Sequence, residues 1–253
     1  MAEGRIPAER RRRRPTKTGV VLSEELIVDC ALRLVGQHGP DALSVRRLGT
    51  ALGCDPSALY RYFRGSDEVL LAVTDRLIGE AMAGFAPGDG TDWAAGLREM
   101  ARRVHHCFSA HPRIAALAAY RVTRRVHEFR AVDTGIGLLR RAGFDAETAV
   151  RHYAAFIDTV LGHAALDAAH LALAPELRRA DDAAWTQAYQ DLPDGSYPEL
   201  AAVRPHLPLM ATGSFAPAVE LLLSALAAQA REAAQASGRG RGPRPGRGGT
   251  GSS

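Results

Sequence analysis

Within SVRRLGTALGCDPSALYRYF, residues 44–63, a serine, an arginine and two tyrosines crowd together as Ser57, Tyr60, Arg61 and Tyr62. No neighbouring base, paired carboxylate or Gly-rich loop equips this cluster for bond-making. Its shared chemistry is hydrogen bonding. A guanidinium forks onto a guanine edge or a phosphate, and hydroxyl and phenol groups reach phosphate oxygens. These groups act together only where one open face of a short helix presents them.

Other reactive residue types point away from catalysis and metal binding. Cys30, Cys54 and Cys107 are odd in number, far apart and without a Cys-x-x-Cys pair. That pattern fits a reducing cytosol and predicts a cytoplasmic protein. His163, Asp167 and His170 share one side of a predicted helix. Seven residues at 1.5 Å rise separate the two histidines by ~10 Å, too far for one ion with ~2 Å bonds. No metal and no cofactor is expected. Neither a phosphate-binding loop nor a nucleophile elbow is present, so no enzyme is expected.

The elements that position the opening cluster are helices. Leu26, Ile27, Cys30, Ala31, Leu34 and Val35 repeat one helical turn apart, with Ser23 as the cap and Gly39-Pro40 as the stop. A second helix begins at Ser44, places Val45, Leu48, Ala51 and Leu52 on one side, and ends at Gly53. Asp55-Pro56 restarts a third helix, Asp as cap and Pro at the first position. Three short helices with a tight turn between the second and third make a helix-turn-helix. Gly49 lets the third helix cross the second closely, while Leu48, Leu52, Cys54, Leu59 and Phe63 point inward. Ser57, Tyr60 and Arg61 are left outside, where a recognition helix carries its readers.

A longer helix follows from Ser66 to about Met82, and Pro87-Gly88-Asp89-Gly90 reads as a linker. Beyond it the pattern stays helical, so the fold class is all-α. Trp93, Leu97, Met100, Val104 and Phe108 form one stripe, and Phe129, Val132, Ile136 and Leu139 another. Long helices are predicted over 146–173 and 215–236. Residues 175–213 are expected to be irregular, with one short helix around Trp185. No stretch of ~20 apolar residues suits a membrane span.

Charge divides the chain further. Its formal net charge is +4, yet residues 1–20 are strongly basic, with an unbroken arginine run at Arg10 to Arg14 followed by Lys17. The last residues, GRGRGPRPGRGGTGSS, are basic as well, so the body between is mildly acidic. Basic arms on an acidic body fit nucleic-acid contact or a solubility tail. The predicted organisation is a disordered basic arm over 1–20, a helix-turn-helix domain over 21–86, a helical domain over 87–236, and a disordered Gly/Arg tail over 237–253.

The stretch ALSVRRLGTALGCDPSALYRYF followed by SDEVLLAV resembles the DNA-binding domain of the tetracycline-repressor (TetR) family of bacterial regulators over about 60 residues. That resemblance implies a homodimer on a near-palindromic operator, a repressor released by a small-molecule effector. It implies DNA contact by Ser44, Arg46, Pro56, Ser57, Tyr60, Arg61 and Tyr62. The family often carries a lysine at the start of the fourth helix, where this chain has Ser66. The helix N-terminus there still suits a phosphate, and Arg64 is placed to supply the charge. Arg14 and Lys17 of the arm join the expected contacts.

Residues beyond 90 carry no comparable signature. The resemblance makes them a ligand-binding and dimerising half, with the helices at 146–173 and 215–236 forming a four-helix interface. Ala155, Gly162 and Ala169 repeat every seven residues on the first of these, where small side chains permit close approach. His105, Tyr120, Phe129, Phe156 and Trp185 are the expected pocket lining. The alternatives are a ligand-dependent activator, a nonspecific DNA-coating protein, or an enzyme in the second half.

Overall fold

A computed structural model describes residues 21–88, 92–118 and 121–239. Among the described residues the regular elements are all helical, and they begin where the caps predict. Helix α1 (Glu24–His38) starts with Ser23 Oγ accepting from the Leu26 N–H at 3.2 Å. Helix α2 (Val45–Leu52) starts with Ser44 Oγ accepting from the Arg47 N–H at 3.3 Å. It stops at Gly53, whose φ of 63° and ψ of 33° are left-handed and cost a glycine little.

The third segment, Pro56–Arg61, winds as a 3-10 helix where an α-helix was expected. With Asp55 accepting from the Ser57 N–H at 2.8 Å and only six residues available, the tighter winding typical of short pieces forms. Its packing follows the sequence nonetheless. A Cβ built on Gly49 would lie 3.0–3.1 Å from three atoms of Pro56, so the crossing is close and a side chain there would crowd it. Leu48, Leu52, Leu59 and Phe63 are buried, whereas Cys54 is only half-buried. Each fully buried Leu or Phe stabilises the head by roughly 1.5–3 kcal/mol.

Helix α3 (Ser66–Ala81) leaves this head and enters the body, burying Val69, Val73 and Leu77 along its length. The body contains α4 (Trp93–Ser109), α5 (Pro112–Ala118), α6 (Val126–Arg141) and α7 (Ala146–Ala172). Helix α7 is central and packs on α4, α5 and α6. Its stripe of Ala149, Tyr153, Phe156, Val160, Ala164 and Ala168 is buried. One continuous hydrophobic cluster joins head to body through α3.

The segment after α7 is more regular than expected. In place of one short helix around Trp185 it holds α8 (Pro175–Ala184), α9 (Pro198–Val203) and a 3-10 run, Arg204–Ala211. Pro175 and Pro198 open α8 and α9, a position where the missing N–H has no helical partner to lose. Trp185 falls at the end of α8. Helix α10 (Phe215–Arg239) closes the described chain and packs on α4 and α7. No single helix among the described residues is long and apolar enough to cross a membrane.

Candidate DNA-reading face and ligand cavity

The turn and the Gly49 crossing leave Ser57, Tyr60 and Arg61 exposed on the outside of the 3-10 segment. Tyr60 is 59% exposed although it is a large aromatic residue. Arg61 Nε lies 3.4 Å from the Ala58 carbonyl, and its terminal nitrogens have no partner among the described residues. On α2, Arg46 and Arg47 are exposed beside the Ser44 cap. Arg64 is exposed at the entry to α3, its backbone N–H donating to Glu68 at 2.6 Å. Hydrogen bonds from Ser57 hold the Asp55 carboxyl below its ordinary pKa, so a charged cap stays at the start of the reading segment.

Tyr62 turns the other way. It is half-buried, and its hydroxyl donates to the Leu22 carbonyl at 2.7 Å, tying the chain before α1 to the reading segment. The structure thus gives Tyr62, between the inner and outer faces, an internal bond beside the DNA contact expected of it. Arg14 and Lys17 lie outside the described residues.

Behind the head, residues 121–125 form a strap to the body. Arg121 donates to Asp67 at the start of α3 at 2.6 Å, and that bond holds the Asp67 carboxyl below its usual range. Arg125 lies 3.5 Å from Glu24 of α1, with its guanidinium 5.6 Å from the Phe63 ring centroid. Arg124 takes a φ of 57°, unusual for a residue with a side chain. Glu128 holds that turn by accepting from the Thr123 and Arg124 N–H groups at 3.0 and 2.8 Å. Helix α6 has no side-chain cap of its own. Asp75, buried on α3, supplies one, accepting from the Glu128 N–H at 2.9 Å and the His127 N–H at 3.4 Å. Thr123 Oγ1 adds a bond to the same carboxylate at 3.3 Å.

The strap borders a cavity of about 620 Å³ between α3, α4, α6 and α7. Its deep wall is apolar: Ile78 from α3 and the buried Met100, Val104 and Phe108 from α4. Val132 and Ile136 of α6 face Ile157 and Leu161 of α7 across it. Val122 and Phe129, 65% and 58% exposed, stand at the mouth with Asp133 and Asp158. Tyr153 reaches the cavity from α7, and burial raises its phenol pKa, so the ring stays neutral. It lies against Gly135, where a Cβ would come within 2.1 Å of the ring.

The expected pocket residues therefore separate. Phe129 lines the cavity as expected, and so do Val132 and Ile136 of the same helical stripe. His105 instead stacks on Phe215, ring centroids 3.7 Å apart, and its Nε2 lies 2.7 Å from Asp167. Phe156 is fully buried core, and Trp185 stacks on Tyr189 in the segment after α7. Tyr120 lies outside the described residues. The histidine strip disperses as well: His163 bonds the Thr159 carbonyl at 2.7 Å and His170 lies 3.7 Å from Asp182. No cluster suited to a metal occurs among the described residues. Sequence reasoning missed Tyr153, Asp133 and Asp158: Tyr153 sits within the buried stripe of α7, and the two aspartates flank apolar positions of α6 and α7. Ala155, Gly162 and Ala169 are exposed on α7, and Leu221 of α10 is 73% exposed.

Two family descriptions match successive parts of the chain. Residues 27–73 match the family described as bacterial regulatory proteins, tetR family, and residues 86–230 match the tetracyclin repressor-like C-terminal domain. A helix-turn-helix-type transcriptional repressor of Mycobacterium tuberculosis is 30% identical over 165 residues, 64% of this chain. The chain spans 62% of that relative's length. The class A tetracycline repressor protein of Escherichia coli is 29% identical over 51% of this chain and 59% of its own. Among solved structures, apo ActR from Streptomyces coelicolor superposes with a TM-score of 0.74 at 26% identity, covering 84% of this chain and 98% of ActR. ActR in complex with actinorhodin gives 0.73 at 26% identity, covering 82% and 96%.

Proposed function

We propose, from the premise that this chain belongs to the tetracycline-repressor family of bacterial regulatory proteins, that it is a homodimeric repressor released from a near-palindromic operator by a small molecule. The observation that carries this reading is the double role of α3. Its first turn adjoins the reading segment, and Thr74 and Ile78 further along it line the apolar cavity. A ligand that changes the cavity therefore acts on the same rigid element that holds the reader. Mostly apolar walls with a few polar groups suit an organic small molecule.

Ser57, Tyr60 and Arg61, with Ser44, Arg46 and Pro56 of α2 and the turn, make the reading face. Arg64, the α3 N-terminus at Ser66, and Arg14 and Lys17 of the arm contact phosphates. The organisation is the basic arm over 1–20, the reading domain over 21–86, and an effector and dimer domain from 87 whose last helix runs to Arg239, past the expected boundary at 236, with the Gly/Arg tail after it. The exposed small-residue face of α7 and the outer face of α10 supply the dimer contact, and no chemical step is assigned to the body.

The test is a gel-shift with DNA flanking the protein's own gene, repeated across a small-molecule panel and followed by footprinting. A discrete protected palindrome, lost with one class of compound, is the expected result. Coating without a preferred site overturns the reading.

A further inference from the structure

We propose that the cavity takes an amphiphilic organic cation, its apolar body among α4, α6 and α7 and its positive charge at the mouth against Asp133 and Asp158. This rests on the reading of the cavity as the effector site and adds the ligand's chemical class. The argument starts from the charged groups that line the cavity. They are Arg121, Glu128, Asp133 and Asp158, one cation against three carboxylates.

The cation is already committed, because Arg121 donates to Asp67 at 2.6 Å. Glu128 is committed too, accepting from two backbone N–H groups of the strap. Asp133 on α6 and Asp158 on α7 have no hydrogen bond or ion pair among the described residues, and Arg130, one turn before Asp133, forms no ion pair with it. Two free carboxylates therefore stand beside the exposed apolar pair Val122 and Phe129. An anionic ligand would meet uncompensated negative charge there. A neutral ligand would fill the apolar interior but leave both carboxylates to solvent. A cation with an aromatic or polycyclic body uses every group at the mouth, the Phe129 ring included, since a ring face attracts positive charge.

The experiment uses the full chain and two ions of nearly the same shape and opposite charge, tetraphenylphosphonium and tetraphenylborate. Both are titrated by calorimetry into wild type, the double variant Asp133→Asn/Asp158→Asn, and Val132→Trp, which fills the cavity. Ile157→Trp on the facing helix replaces Val132→Trp if that variant does not fold. The phosphonium is expected to bind about tenfold more tightly than the borate. That preference should shrink as salt rises and vanish in the double Asn variant. Equal binding of the two ions, a preference untouched by the Asn substitutions, or no binding of either ion overturns the cation proposal. Equal binding that Val132→Trp abolishes leaves the cavity standing as a ligand site. Binding unchanged by the cavity-filling variant overturns the cavity reading itself.

Discussion

Asp75 ties α3 to the strap and to the start of α6, and its removal should be measurable in two ways. The carboxylate is buried at 5% exposure and accepts from the Glu128 N–H at 2.9 Å, the His127 N–H at 3.4 Å and Thr123 Oγ1 at 3.3 Å. It caps a helix that has no cap of its own. Asp75→Ala removes a helix cap, which costs about 0.5–2 kcal/mol. It also leaves two N–H donors and a hydroxyl partly buried without an acceptor, about 1–3 kcal/mol for the set. The terms overlap, so about 2–3 kcal/mol is expected in total. For a chain of this size that lowers Tm by roughly 4–12 °C. Asp75→Asn keeps an acceptor oxygen without the charge and should lose about half as much. Circular dichroism melts at fixed protein concentration make the comparison, because association shifts Tm by mass action. An alanine variant melting within about 1 °C of wild type would refute the cap. A variant that melts early yet releases operator DNA at the wild-type ligand concentration would show that the strap carries no signal.

Three further perturbations follow from the same geometry. Arg61→Ala should cost about 1–3 kcal/mol on the operator and relax preference at one position per half-site, read by gel-shift on operator variants; equal affinity removes Arg61 from the reading face. Gly135→Ala places a Cβ where the Tyr153 ring now lies, at 2.1 Å, so the ring must move towards the cavity. Ligand affinity should fall at least about tenfold while operator affinity holds, and calorimetry showing unchanged ligand binding would mean that Tyr153 does not bound the site. Deleting residues 1–19 should weaken specific and nonspecific DNA alike, because phosphate contacts carry little sequence information. Each lost contact should also lower the slope of log affinity against log salt by ~0.9; an unchanged slope means the arm never touches DNA.

The head was legible because its determinants are local. Gly53 ends a helix, Asp55-Pro56 starts the next element, and Gly49 permits a close crossing; each signal sits within a few residues of its effect. The winding of 56–61 was not legible, because Asp55-Pro56 can open either kind of helix and the segment is only six residues long. The cavity was largely hidden for a different reason. Its wall is assembled from four helices far apart in sequence, and an apolar stripe reads the same whether it faces a core or a void. Val132 and Ile136 read only as part of a helical stripe for that reason, although Phe129 beside them was expected in the pocket. His105 and Phe156 are aromatic residues at helical spacing that do pack internally, one on Phe215 and the other in the core. Asp133 and Asp158 were not singled out, because an exposed carboxylate on a helix carries no signal until the wall around it is known.

The strap's own ties set limits on how a ligand operates the switch. Moving a complex from 99% to 1% competent requires a preference of about 10⁴ for the released state. The Arg121–Asp67 pair cannot supply that, since Asp67 is 70% exposed and exposed pairs contribute about 0–1 kcal/mol. Breaking one strap contact is therefore insufficient, and the free energy must come from the ligand's unequal fit to two cavity shapes. In the proposed homodimer two cavities share the task, so each ligand needs a preference of about 100-fold. Pairing of a cation with Asp133 and Asp158 accounts for about tenfold of this if the mouth is open to those carboxylates in only one shape. The remaining tenfold is about 1.4 kcal/mol, comparable to burying two methylene groups of the ligand against the walls. In the proposed switch the strap transmits the choice, with Asp75 and Arg121 tying α3 to the strap and α6, while the cavity supplies the difference.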